Sequence, residues 1–213
     1  MKSSFCILFL VSLLFGDYNY SISNISHEIE KKMLEGASHK KNCPVALNKL
    51  RYLTLEYIDF NGNTKIGELI VHKDVSLEIV DIFKTLYETS YPIERMELVS
   101  NYKGDDFNSI EVNNTSAYNC RKIEGTNRWS RHAYGKAIDI NPIQNPYVSK
   151  KGKISHTASL KYKIREQKDL NNLGQEAMIL KDGIVVNMFK KYGWIWGGDW
   201  KTIKDYQHFD KRE

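Results

Sequence analysis

Two β-type runs joined by a short turn constrain the fold of this chain more than any other feature. RYLTLEYIDF, residues 51–60, alternates apolar and polar side chains, and KIGELIVH, residues 65–72, follows it after the tetrapeptide NGNT. Two such runs around an Asn-Gly turn predict a β-hairpin. The sequence therefore places antiparallel sheet in the first third of the chain.

Helical periodicity follows the hairpin. Residues 74–91 carry apolar side chains at helical spacing, with Asp74 as the predicted N-cap and Pro92 just beyond the end. MELVSNY, residues 96–102, predicts a strand. Residues 103–130 are rich in Gly, Asp, Asn, Ser and Thr and predict a long loop, which in a compact domain is usually functional or disordered.

The remaining elements decide the fold class. Residues 21–42 are polar and predict a mobile leader or a small helix that Gly36 closes. KAIDINP predicts a short strand, and residues 182–194 predict a helix with Asp182 as its cap and Gly193 at its end. Because helices and strands are mixed without regular alternation, the predicted class is α+β.

The N-terminal residues predict that the protein is exported from the cytoplasm. Lys2 precedes an apolar run over residues 5–15 that only Ser12 interrupts, which is typical of a secretory signal peptide within residues 1–20. The run is shorter than the roughly 20 residues of a membrane-spanning helix. A buried N-terminal helix is the alternative. We therefore expect a secreted or periplasmic protein that contacts a membrane only through an uncleaved signal segment.

The net charge and the cysteines limit which partners and ligands the chain is expected to have. The net charge is +5, which favours polyanionic surroundings, but the chain has neither an arginine-rich tract nor a nucleic-acid motif, so we expect no nucleic-acid partner. Beyond the signal segment, Cys43 and Cys120 remain; they form one disulfide in an oxidising compartment or stay as two thiols. Two cysteines so far apart make a poor zinc site.

The segment SRHAYGKAIDI, residues 130–140, carries polar residues without an obvious packing role. In a strand, Ile138 and Ile140 share one face, which leaves Asp139 free to face a cleft on the other. Gly135 allows the chain to fold back, so that the side chains of His132 and Asp139 reach one metal ion. One histidine and one aspartate are an incomplete ligand set for a catalytic zinc, which takes three protein ligands and a water.

A second segment, DYQHFD, offers the missing ligand. His208 follows Asp205 by three residues, and a metal hydrolase needs an imidazole on the ion and a carboxylate that takes a proton from water. The two side chains share a site only if the chain turns between them. The other histidines are expected to be structural or surface residues: His27, His39, His72 and His156.

Together the two segments resemble a known family. SRHAYGKAID is similar to the SxHxxGxAxD signature of the zinc D-alanyl-D-alanine carboxypeptidases, the VanY-like peptidoglycan peptidases, and DYQHF resembles their [DE]xxH signature. AYNCR, INPIQNPY and WGGDW also look like a subgroup of that family, and the resemblance covers roughly residues 90–213. The joint match of two motifs in the right order is more specific than either alone.

The resemblance implies roles for five residues. His132, Asp139 and His208 are the implied Zn²⁺ ligands, and Asp205 is the implied general base. Many relatives carry an SGYR-type strand whose Arg binds substrate or stabilises the oxyanion, but the corresponding segment VSNYKGDD has none. We expect Arg121 to replace it, with Arg128 or Arg131 as alternatives.

The resemblance also implies a fold and an activity. The fold is a small α+β domain with a central antiparallel sheet, flanking helices and a zinc cleft, predicted over residues 73–213 after a polar leader and hairpin at 21–72. We expect a zinc metallopeptidase acting on peptidoglycan stem peptides, first of all a D-alanyl-D-alanine carboxypeptidase. The alternatives are an L,D-endopeptidase of the same fold that lyses or remodels the cell wall, and a non-catalytic zinc-containing wall-binding module. Asp205 argues against that module, since a structural ion needs no base. The oligomeric state is not predicted.

Overall fold

The structure is a computed structural model that describes residues 17–166 and 173–212. It confirms the α+β class. Five α-helices are present in the described residues: α1 (His27–Glu35), α2 (Ser76–Glu88), α3 (Asp106–Glu111), α4 (Leu173–Glu176) and α5 (Ile184–Lys191). The described strands are β1 (Tyr20–Asn24), β2 (Leu50–Ile58), β3 (Thr64–His72), β4 (Arg95–Met96), β5 (Asn114–Thr115), β6 (Ala137–Asp139), β7 (Tyr147–Val148), β8 (Ile195–Trp196), β9 (Lys204–Asp205) and β10 (His208–Asp210).

The predicted hairpin forms the centre of the first antiparallel sheet, whose strand order is β1-β2-β3. Strands β2 and β3 pair from Leu50 opposite His72 to Ile58 opposite Thr64, so the turn lies where the Asn-Gly pair predicts it. Strand β1 was not predicted, because its sequence YSISN is short, polar and mostly exposed. The short helix predicted in the polar segment is α1, and Gly36 is its C-cap.

Helix α2 packs its apolar side chains on the hairpin. Ile79, Ile82 and Phe83 are buried in one core with Leu53 and Leu55 of strand β2. The predicted cap at Asp74 is wrong, since α2 begins at Ser76 and Asp74 lies in a preceding 3-10 turn. The imidazole Nδ1 of His72 accepts from the backbone N–H of Asp74 at 3.3 Å, so a histidine caps that turn.

The second antiparallel sheet has the strand order β6-β10-β8. Phe209 lies opposite Ile138 on one side and Trp196 on the other, and all three side chains are buried in the core that α2 and the hairpin share. Residues before position 72 in the sequence and residues after it therefore contribute side chains to the same core. The division into segments 21–72 and 73–213 stays a prediction.

The predicted strand at 96–102 and the predicted loop at 103–130 are partly wrong. Only Arg95–Met96 form a strand, and Val99–Tyr102 form a 3-10 turn. The loop contains α3 and β5. The polar composition that suggested a loop supplies a cap for α3, since the Asp105 carboxylate accepts from the backbone N–H of Asn108 at 3.2 Å.

A disulfide joins Cys43 to Cys120, with 5.8 Å between their Cα atoms, and realises one of the two alternatives that the sequence leaves open. The predicted signal segment falls outside the described residues as far as residue 16. Among the residues that are described, no helix is both long and apolar enough to cross a bilayer.

Candidate metal centre

His132 sits on a 3-10 turn formed by Arg131–Tyr134, directly before strand β6. The Ser130 hydroxyl accepts from the backbone N–H of His132 at 3.3 Å and starts the turn. Gly135 ends it with φ at 65°, a left-handed conformation that glycine adopts most easily. The predicted reversal at Gly135 is therefore present, and it brings His132 back toward Asp139.

His208 reaches the same place from strand β10. It lies directly opposite Asp139 of strand β6 in the antiparallel register. Opposed residues in such a pair have Cβ atoms about 4.5–5.5 Å apart and point to the same face of the sheet. The pairing of β6 with β10 thus places the second imidazole beside the carboxylate.

The three side chains form a compact group of donor atoms. The imidazole Nε2 of His132 lies 3.2 Å from Asp139 Oδ2 and 3.2 Å from His208 Nδ1. The Nδ1 atom of His208 lies 2.9 Å from Asp139 Oδ1. One ligand atom from each residue falls within 4.8 Å of the others. Burial raises the pKa of Asp139, but the two imidazoles outweigh it and hold that pKa well below its usual range.

A hydrogen bond holds the outer nitrogen of His132, and a carboxylate lies near the outer nitrogen of His208. His132 Nδ1 lies 2.5 Å from the carbonyl oxygen of Ala117, which accepts its proton and leaves Nε2 as the lone-pair nitrogen. The Nε2 atom of His208 lies 3.7 Å from the buried carboxylate of Asp210. Contacts of this kind orient histidine ligands and set their tautomer in metal sites. They direct His132 Nε2 and His208 Nδ1 toward the shared space.

Asp205 lies next to this group, at the end of strand β9. Residues 206–207 form a turn before β10, which is the bend that the spacing of Asp205 and His208 requires. Burial raises the pKa of Asp205, the charge on His208 lowers it and the charge on Asp139 raises it, to a net value of about 7. A carboxylate tuned in this way exchanges protons at neutral pH.

The donor set fits a Zn²⁺ ion. Two imidazole nitrogens and one carboxylate are three protein ligands, and catalytic zinc sites combine three such ligands with an open position for water or substrate. Two buried acceptor atoms, Asp205 Oδ1 and Gln207 Oε1, have no hydrogen-bond partner among the described residues. Buried polar atoms are rarely left unpaired, so their position in the cleft fits a site that takes water and a polar substrate.

The group opens into a cleft of about 1150 Å³. Arg121, Arg128 and Arg131 all line this cleft, so the structure brings the expected arginine and both alternatives to it. The side chain of Arg121 forms an ion pair with Asp106 through its Nε atom. Trp200 also lines the cleft, with its ring centroid 5.4 Å from that of His208.

The structure gives different roles to the other histidines. His39 pairs with the hydroxyl of Tyr118 at 2.7 Å, a structural role as expected. His156 was expected to be a structural or surface residue; it lines the cleft, stacked on Phe107 with ring centroids 4.3 Å apart. Trp194 and Trp196 are core residues, 2% and 3% exposed.

Sequence reasoning missed the carboxylate of Asp210, although a usable signal was present. Residues two apart in a strand share a face, and this rule alone places an aspartate two residues after His208 beside it. The Ala117 carbonyl had no such signal, because any residue type supplies a backbone oxygen.

A family model described as D-alanyl-D-alanine carboxypeptidase matches residues 124–211. Comparisons with curated proteins and with solved structures gave no match. The matched segment contains His132, Asp139, Asp205 and His208, whereas Arg121 lies three residues before it. The match confirms, over residues 124–211, the resemblance that the two motifs predict, to the metal-dependent peptidase family of the D-alanyl-D-alanine carboxypeptidases.

Proposed function

We propose that this chain is a zinc-dependent peptidase that hydrolyses peptidoglycan stem peptides and acts as a D-alanyl-D-alanine carboxypeptidase. One observation carries the proposal. The buried group of His132, Asp139 and His208 opens into a cleft beside Asp205, within the segment that matches the family. His132 Nε2, an Asp139 oxygen and His208 Nδ1 would hold the ion. A Zn²⁺ ion there supplies Lewis-acid polarisation and acidifies water.

Asp205 is the proposed general base. Asp205 lines the cleft beside the candidate ligands, where its carboxylate would take a proton from the attacking water and then give it to the leaving amine. Both transfers are needed, because the amine leaves only when protonated. The position of Asp205 between Tyr147 of strand β7 and the turn before β10 keeps it in the wall of the cleft.

Arg121 is the proposed partner of a negative charge on the substrate. A guanidinium binds a carboxylate through two parallel N–H donors, and such a clamp selects peptides cut next to their C-terminus. Alternatively the same group stabilises the developing oxyanion. Removing one donor of that kind raises the activation barrier by about 2.7–4 kcal/mol. Arg121 lies in the cleft wall with either role open to it.

The size of the cleft favours a second candidate. Sites for drug-sized ligands usually have volumes of about 300–1,000 Å³, and this cleft reaches about 1150 Å³. A terminal dipeptide fills only part of it. An L,D-endopeptidase, which binds stem residues on both sides of the cleaved bond, would use the remaining space with the same four site residues.

We also propose that the protein works outside the cytoplasm. The Cys43–Cys120 disulfide supports this location, because disulfides persist in oxidising compartments. The apolar run near the N-terminus is consistent with export.

Mass spectrometry of purified stem pentapeptide tests the activity. The chain is incubated with the peptide in the presence of Zn²⁺ and, separately, of chelator. Zinc-dependent loss of one terminal alanine is the expected result, and an internal cut would instead establish the endopeptidase. Absence of cleavage by the folded, zinc-loaded protein would reject the peptidase and favour a wall-binding module.

The variant Asp205→Asn separates catalysis from metal binding. It removes the proposed base and keeps the three ligand residues. We expect it to lose turnover by a factor of about 10²–10⁴ and to keep its zinc. Unchanged turnover would remove Asp205 from the mechanism.

A further inference from the structure

A short segment, residues 116–121, connects the candidate metal ligands to Arg121, and we call it the site spine. Ser116 and Asp139 exchange two backbone hydrogen bonds, each of 2.9 Å. The carbonyl of Ala117 holds His132 Nδ1, and the backbone N–H of Asn119 donates to the carbonyl of His132 at 3.3 Å. The first part of the spine therefore supports the ligands directly, through main-chain contacts.

The far end of the spine supports Arg121 through a different set of contacts. The side-chain amide of Asn119 donates to Asp106 Oδ1 at 2.7 Å and to the carbonyl of Gly104 at 3.0 Å. The other carboxylate oxygen of Asp106 forms the ion pair with Arg121. Asp106 thus joins helix α3 to the spine at the point where Arg121 enters the cleft.

The Cys43–Cys120 disulfide also holds the end of the spine next to Arg121. Cys120 is 1% exposed and immediately precedes Arg121. Its backbone N–H donates to the carbonyl of Ser38 at 2.9 Å, and its sulfur is bonded to Cys43. Residues that are 77 positions apart in the sequence are therefore joined next to the arginine.

We infer that Asp106 and the Cys43–Cys120 disulfide are positioning elements for Arg121. They aim its guanidinium into the cleft, while main-chain contacts of Ser116 and Ala117 hold Asp139 and His132. This inference rests on the proposed function, in which Arg121 binds a negative group of the substrate. It ties substrate affinity to an oxidised cysteine pair and assigns a role to an aspartate outside the segment that the family model matches.

The ion pair leaves donors for a substrate. A guanidinium has five N–H donors in a planar fork. The Nε atom of Arg121 faces Asp106, and Nη1 donates to the carbonyl of Lys122 at 3.3 Å. The remaining N–H groups are enough for a bidentate contact with a carboxylate. Because a long side chain loses rotamer freedom when it binds, an arginine that is already oriented binds more tightly than a free one.

The test compares three variants with the wild-type chain: Asp106→Asn, the double variant Cys43→Ser/Cys120→Ser, and the control Glu88→Gln. Glu88 lies at the end of helix α2, outside the residues that line the cleft, and its side chain is 45% exposed. KM and kcat are measured on the stem pentapeptide, and zinc content and melting temperature are measured on the same samples. Assays are run well below the lowest melting temperature, because the cysteine variant loses a cross-link.

We expect Asp106→Asn and the double cysteine variant each to raise KM about tenfold, with kcat changed less than threefold and zinc content unchanged. Glu88→Gln should match the wild type in all four quantities. Pentapeptide binding by Asp205→Asn, with and without Asp106→Asn, gives the same comparison at equilibrium without turnover. A folded double cysteine variant keeps the inference testable if Asp106→Asn does not fold.

Two results would overturn the inference, and they differ from failure of the proposed function. A wild-type KM in both variants would show that Arg121 needs no support. Loss of zinc in step with the rise in KM would show a general loosening of the site. If the wild-type chain neither binds nor cleaves the pentapeptide, the proposed function fails and the inference fails with it.

Discussion

Replacing Gly135 with alanine tests whether this residue positions the metal ligands. Gly135 has φ at +65°, and a Cβ atom built on it lies 2.6 Å from the backbone nitrogen of His72. The same nitrogen donates to the Gly135 carbonyl at 2.8 Å. Alanine at this position must adopt the left-handed backbone conformation, which destabilises the fold by roughly 1–2 kcal/mol. It also forces two backbone segments apart, and overpacking of this kind costs about 1–3 kcal/mol.

Gly62→Ala is the matched control. Gly62 has φ at +77°, and no heavy atom lies within 4 Å of a Cβ built on it, so alanine there carries the conformational penalty alone. The difference between the two variants is therefore the clash, about 2 kcal/mol. At roughly 2–4 °C per kcal/mol for a chain of this size, Gly135→Ala should melt about 4–8 °C below Gly62→Ala.

The assay pairs thermal melting with zinc affinity. Because Gly135 ends the turn that carries His132, we expect Gly135→Ala to bind Zn²⁺ more weakly than the wild type. Gly62 lies in the hairpin turn, so Gly62→Ala should bind Zn²⁺ with wild-type affinity. Equal melting temperatures and equal zinc affinities for the two variants would refute this role of Gly135.

Three further predictions follow from the site and the hairpin. Asp210→Asn should weaken zinc binding about 10–100-fold in calorimetry with little change in far-UV circular dichroism, because it removes the buried carboxylate beside His208; unchanged affinity would contradict this role. Zn²⁺ at 100 times its Kd should stabilise the fold by about 2.7 kcal/mol, a melting shift that chelator reverses and that a protein without a metal site would not show. Backbone N–H groups of Asn63 and Asn61 lower the pKa of Asp59, so the folded state gains stability above the unfolded pKa of about 3.9 and loses it as pH falls through the lower folded value. The melting-temperature gap between wild type and Asp59→Asn should therefore close below pH 4, and a gap independent of pH would disprove the assignment.

The parts of the fold that the sequence predicts are those with local causes. The hairpin follows from alternation and an Asn-Gly turn, and helix α2 follows from its apolar spacing. The ligands are nominated by the resemblance of two short motifs to the carboxypeptidase signatures, because both motifs match and in the right order. Each of these signals is contained within about twenty residues.

The spine and the elements around it depend on distant contacts, and the sequence does not predict them. Residues 116–121 form almost no regular structure and are held by Asp139, Ser38 and Cys43, which lie far away in the chain. Composition predicted a loop, because glycine, asparagine and aspartate are typical of loops. The tertiary contacts that fix this segment leave no periodic pattern.

The register of two strands decides whether the candidate metal centre can form. His208 and Asp139 face each other only because Phe209 lies opposite Ile138, and both of these apolar side chains are 0% exposed in the core. A slip of one residue would turn the ligand from strand β10 into the apolar core and turn Phe209 out of it. Burial of Phe209 and Ile138 therefore selects the register, and the register brings the imidazole and the carboxylate together. The apolar residues that alternate with the ligands are as necessary to the site as the ligands themselves.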